Sequence, residues 1–109
     1  MNFNEYQKKS RETAIYPDAG NNWIYPTLGL VGEAGEIANK MKKVMRDKES
    51  KIDEETKKDM EQELGDILWY VAQVATELDL SLGNIAEENI KKLFSRKDRG
   101  VLGGSGDNR

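Results

Sequence analysis

The 109-residue chain is long enough for one domain, near the size at which helical hairpins complete their core by association. With no cysteine and no histidine, it excludes disulfides, thiolate nucleophiles, imidazole bases and imidazole or sulfur metal ligands, which leaves carboxylates as the main acid/base and metal-binding chemistry. Charged residues at 34% against a 37% hydrophobic set suit amphipathic helices, and a net charge of -3 supplies no field that would attract a nucleic acid polymer.

From about Asn4 to Ala14, sparse apolar positions among charges predict a short helix docked along one edge. The stretch from Ile15 to Pro26 holds both prolines and paired asparagines and reads as an aromatic-rich loop. Thr27 is placed to cap a second helix, in which Leu30, Val31, Ala34, Ile37, Ala38, Met41, Val44 and Met45 form an apolar stripe. After the polar RDKESKID connection, Asp53, Glu54 and Glu55 give the acidic start of a third helix that runs to about Asp79. Met60, Leu64, Ile67, Leu68, Val71, Val74, Ala75 and Leu78 mark its buried side, and so short a connection predicts antiparallel packing of the two helices. Ser81 can cap a fourth helix carrying Leu82, Ile85, Ile90, Leu93 and Phe94. Residues 1–99 therefore form one all-α domain, a bundle of antiparallel helices completed by oligomerisation into a dimer or tetramer. The glycine-rich tail 100–109 is expected to be mobile unless a ligand or neighbour orders it. No apolar run approaches the roughly 20 residues that span a bilayer, and the first ten residues lack a signal-peptide core, so the expected setting is the cytoplasm, without a membrane partner.

Glu33 and Glu36 on the second helix, and Glu63 and Asp66 on the third, each stand three residues apart and project from one helical face. If the two faces meet, four carboxylates converge into an oxygen-rich pocket for Mg²⁺ or Mn²⁺, which relieves their repulsion. A single such pair in so charged a chain is usually a solvated face. Gly29, Gly32, Gly35 and Gly65 shift the balance, because each costs roughly 1 kcal/mol in a helix and suggests close approach of a helix or ligand beside the acids. Lys40 and Lys43 lie beyond Glu36 and could meet phosphates, or simply face solvent. Trp23, Tyr25, Trp69 and Tyr70 could wall a base or sugar; Tyr70, four residues after Asp66, lies on the acid-bearing face, whereas Trp69 reads as core.

The strings LGLVGEAGEIANK and QELGDILWYVAQVA resemble the two signature halves of MazG-like nucleoside triphosphate pyrophosphohydrolases, an all-α superfamily, over roughly Thr27 to Phe94. The resemblance implies cleavage between the α- and β-phosphates of a (d)NTP to the monophosphate and pyrophosphate. It implies Glu33, Glu36, Glu63 and Asp66 as metal ligands, with Glu33 or Glu36 as the catalytic proton acceptor. Asn89 and Lys92 form an N-x-x-K segment similar to the family's nucleotide-contacting helix, although an exposed polar face reads equally well for Lys92. The tail SRKDRGVLGGSGDNR resembles tails of one subgroup; Arg96, with Lys97, Arg99 and Arg109, could contact phosphate as part of a lid, or the segment could be a frayed end. A member acting on dUTP/dCTP or phosphoribosyl-ATP would preserve the acids, and a non-enzymatic helical interaction module would not explain the glycines beside them.

Overall fold

The computed structural model describes residues 1–109 as four helices and no strand: α1 Phe3–Arg11, α2 Ile24–Asp47, α3 Glu54–Glu77 and α4 Leu82–Asp98. Helix α1 starts at a capping box, with Glu5 N–H donating to Asn2 Oδ1 at 2.8 Å and Asn2 N–H to Glu5 Oε2 at 3.3 Å. It ends before Ala14, because the amides of Thr13 and Ala14 bond three residues back and tighten the chain into a turn.

Helix α2 begins earlier than the Thr27 cap predicts. Asn22 Oδ1 accepts the Tyr25 N–H at 3.1 Å, and Pro26 sits in the first turn, where its missing N–H removes no helical bond. Thr27 is already inside the helix, its hydroxyl donating back to Trp23 O at 2.7 Å. Helix α3 starts where expected, with Thr56 N–H donating to Asp53 Oδ1 at 2.8 Å. It closes with Leu80 N–H bonded to Ala75 O at 2.8 Å and Asp79 N–H to Thr76 O at 3.1 Å, with Asp79 in the left-handed region (φ 56).

Lys48 meets Thr56, Lys40 meets Glu63 and Tyr70 packs on Gly29, so α2 and α3 form the antiparallel hairpin that sets the register of the acids. Helix α1 lies against α3 and satisfies the exposed amides of α4. Asn4 Oδ1 accepts from Ser81 Oγ at 2.8 Å and Gly83 N–H at 2.9 Å, and Gln7 Oε1 accepts from Leu82 N–H at 2.7 Å.

The apolar stripes are only partly covered within one chain. Val44, Ala72, Ala75, Leu82 and Tyr16 are buried, but Val31, Met45, Leu64, Ile90 and Phe94 are more than half exposed. The radius of gyration is 16.9 Å, against roughly 13 Å for a compact domain of this length. The accessible surface is 8102 Å², some 2,000 Å² beyond the roughly 6,100 Å² of a compact monomer of this mass. No helix is long and apolar enough to cross a membrane.

The tail contains only bends and turns and folds back on α4. Arg96, itself buried, donates to Asp107 O, and the Arg109 guanidinium donates to Val101 O (3.0 Å), Leu102 O (3.1 Å) and Gly106 O (2.6 Å). The arginines that composition marks as an anion-binding set are thus engaged with the tail's own carbonyls.

Candidate metal centre

The hairpin register places one turn of α2 opposite one turn of α3. One carboxylate oxygen from each of Glu33, Glu63 and Asp66 lies within 4.8 Å of the others. Glu33 and Glu63 are half-buried and Asp66 is exposed, so the cluster opens to solvent on one side. A proton on Glu33 would bridge to Glu63. That hydrogen bond, then burial, then the charges of Glu63, Asp66 and Glu36 push the Glu33 carboxyl above the usual carboxylate range.

In the charged state Glu63 Oε1 faces Lys40 Nζ at 3.8 Å, while Glu63 Oε2 is buried with no hydrogen-bond partner. A buried anionic oxygen without a donor is costly and uncommon. Its placement beside two further carboxylates fits a hard divalent cation coordinated by oxygen. Glu36 stands apart from the trio, one turn along and exposed, although its charge reaches Glu33.

Groups of different chemistry lie on the two sides of this cluster along the hairpin. Toward the start of α2, the Tyr70 ring rests on Gly29, where an added methyl would lie inside contact distance. Trp69 stands perpendicular to Tyr70 at 5.1 Å, and Tyr16 stacks on Tyr25 at 5.1 Å and 13°. Burial, followed by the charges of Tyr25, Glu33 and Asp66, raises the Tyr70 phenol, and Tyr70 follows Asp66 by about one turn of α3. Toward the end of α2, Lys40, Lys43 and Lys48 line a cleft of about 290 Å³ together with Val44, Thr56 and the carboxylates of Asp47 and Asp59. A larger cleft of about 530 Å³, lined by Asn4, Gln7 and Ser81 among others, holds none of the clustered acids, so the carboxylate geometry and not cavity size marks the site.

Residues 26–101 match the MazG nucleotide pyrophosphohydrolase domain, a span containing all four acids of the paired motif. The chain belongs to this family. It is also 54% identical over 114 residues to the Gene 37 protein of Mycobacterium phage L5, with both chains covered in full. No solved structure matches.

Within this MazG domain the other sequence candidates are distributed unevenly. Lys40 and Tyr70 border the acids. Trp23 is 57% exposed at the mouth of α2, outside the stacked aromatic set. Asn89 and Lys92 are exposed on α4, which packs on α1, and neither makes a side-chain hydrogen bond or ion pair in the chain. Arg96 lies under the tail. The close approach expected at the glycines occurs only at Gly29; a Cβ at Gly32, Gly35 or Gly65 would meet open space within the chain, because the α2/α3 contact runs along another face.

Sequence reasoning missed Glu77, whose side chain is fully buried and accepts hydrogen bonds from Arg11, Tyr16, Gly20 and Asn22. These partners lie 55 to 66 residues away, so no helical spacing links them. One local signal was available: a carboxylate in the last turn of a helix opposes the helix dipole and needs donors from elsewhere.

Proposed function

We propose that this chain hydrolyses a nucleoside triphosphate between its α- and β-phosphates, giving the monophosphate and pyrophosphate. The observation that carries this reading is the meeting of Glu33, Glu63 and Asp66, with Glu63 Oε2 unpartnered, inside the family's matched span. Glu33, Glu63 and Asp66 would hold Mg²⁺ or Mn²⁺, with Glu36 completing the set from its edge. When bound, the ion supplies neutralisation of phosphate charge and activation of water.

The chain's own groups divide the remaining work. Glu33 or Glu36, whichever keeps a free oxygen, accepts the proton of the attacking water. Lys40, after releasing Glu63, and Lys43 would meet the β- and γ-phosphates in the cleft they share with Asp47 and Asp59. Tyr70 and Tyr25 face the nucleoside, whose apolar faces suit stacking. The substrate then lies along the hairpin with its base toward the start of α2 and its phosphates toward the end. Asn89 and Lys92, exposed on α4, which packs on α1, would reach the nucleotide from this chain or from a neighbouring subunit's α4.

The test is incubation of the purified protein with a panel of NTPs and dNTPs and Mg²⁺, resolving the products. Monophosphate and pyrophosphate in equal amounts are expected. Diphosphate with inorganic phosphate, or no turnover of any nucleotide, would refute the reading.

A further inference from the structure

Glu77 lies in the last turn of α3, about three turns beyond Asp66, and takes no part in the acid cluster. Its Oε1 accepts the Asn22 N–H at 2.5 Å and the Gly20 N–H at 3.1 Å. Its Oε2 accepts Arg11 Nη2 at 2.7 Å, Tyr16 OH at 3.0 Å and again Gly20 N–H at 2.8 Å. Burial alone would raise this carboxyl, but the backbone amides of Asn22 and Gly20, then Arg11 and Tyr16, outweigh it and hold the group down at about 2. The side chain is therefore a buried anion whose donors all come from one segment, Arg11 to Asn22.

That segment lies outside the matched residues 26–101, and the carboxylate joins α1 and its following loop to the α2/α3 hairpin. The contact also reaches the site wall by two routes. Tyr16, held through its hydroxyl, stacks on Tyr25 and stands edge-on to Trp69 at 6.4 Å. Asn22, held through its amide, caps the start of α2 by accepting the Tyr25 N–H. Gly20 has φ +99, a backbone state that side-chain-bearing residues rarely adopt, and this turn aims the two amides at one carboxylate.

We propose that Glu77 is a positioning residue, whose carboxylate clamps the Arg11–Asn22 segment on α3 and so sets the Tyr16–Tyr25 stack that walls the nucleoside end of the acid site. A buried anion at a helix C-terminus is a poor device for stability alone, since an apolar side chain of similar volume avoids the desolvation and dipole costs. It does favour one loop conformation, because the donors from Arg11, Tyr16, Gly20 and Asn22 must converge together to satisfy both oxygens. The assignment rests on the nucleotide reading above and places Glu77 in substrate affinity, not in the chemical step.

The experiment compares full-length wild type with Glu77→Gln and, as a perturbation from the loop side, Gly20→Ala. Three quantities are measured: hydrogen exchange at the Gly20 and Asn22 amides, Mn²⁺ affinity without nucleotide, and KM and kcat on the wild type's best nucleotide. Both variants are expected to lose amide protection and to bind Mn²⁺ within about twofold of wild type. KM should rise about tenfold or more, with kcat within about twofold. Lost protection with unchanged KM in either variant overturns the proposal, as does a fall in kcat alone or a matching loss of Mn²⁺ affinity. If Glu77→Gln does not fold, Gly20→Ala decides by the same criteria. Absence of nucleotide turnover in wild type overturns the nucleotide reading itself and this role with it, whereas turnover with an unchanged KM in the variants overturns only the role of Glu77.

Discussion

Glu63 holds the most constrained position in the acid cluster, with one oxygen facing Lys40 and the other buried without a donor. Glu63→Gln and Asp66→Asn each remove a charge of the proposed metal site at nearly constant volume, so both should stay helical, bind Mn²⁺ at least about tenfold more weakly and lose activity by about two orders of magnitude or more. Circular dichroism, Mn²⁺ titration and turnover check the three parts, and wild-type turnover in either variant would remove that residue from the centre. Exhaustive chelation should abolish activity and added Mg²⁺ should restore it. Glu36→Gln separates roles: a ligand would lose Mn²⁺ affinity, while a proton acceptor would lose kcat with affinity retained. At Glu77 the folded-state value of about 2 lies below the ordinary 4.5, so the unfolded chain binds the extra proton. The resulting stabilisation is fully present above about 4.5 and is lost as pH falls toward about 2. Melting temperature of wild type should therefore drop more steeply over that range than that of Glu77→Gln, and parallel curves would show that the carboxylate is not held as described.

At the scale of elements, caps and close approaches set where the helices begin and how they meet. Asp53→Ala removes the acceptor for the Thr56 amide and the partner of Lys48, and should lower the midpoint of urea denaturation. Gly29→Ala puts a methyl into the Tyr70 ring, so it should destabilise by about 1–3 kcal/mol even though alanine is the better helix former. A stabilised Gly29→Ala protein would mean that Tyr70 does not rest on this turn. The starts of α3 and α4 were legible from Asp53 and Ser81, whose side chains cap as their positions suggest. The start of α2 was not, since Thr27 had the right residue type while the cap came from Asn22, upstream of a proline that a helix accepts in its first turn.

Taken as a whole molecule, the chain exposes about 2,000 Å² more surface than a compact monomer of its mass. Val31 and Met45 on α2, Leu64 on α3 and Ile90 and Phe94 on α4 remain more than half exposed, and the excess area is within the range of a specific protein interface. Light scattering at micromolar concentration is expected to give a mass of two or four chains. A folded, fully active monomer would show that one chain completes both core and site.

The helical class, the hairpin and the acid pairs were determined by the sequence itself, because helical periodicity and i,i+3 spacing are local properties that survive any later packing. Which acids come together depended on register: Glu33, Glu63 and Asp66 converge while Glu36, at the same spacing from Glu33, is rotated toward solvent. The glycines were readable as unusual, but only the tertiary contact with Tyr70 singled out Gly29. The engagement of Arg96 and Arg109 with tail carbonyls was likewise hidden, since charge and composition do not say whether an arginine meets an external anion or its own backbone. Glu77 is the clearest case of a decision left to tertiary structure. Its donors stand more than fifty residues away, and only the packing of α1 and its following loop on α3 turns an unremarkable glutamate into a buried, fully satisfied anion.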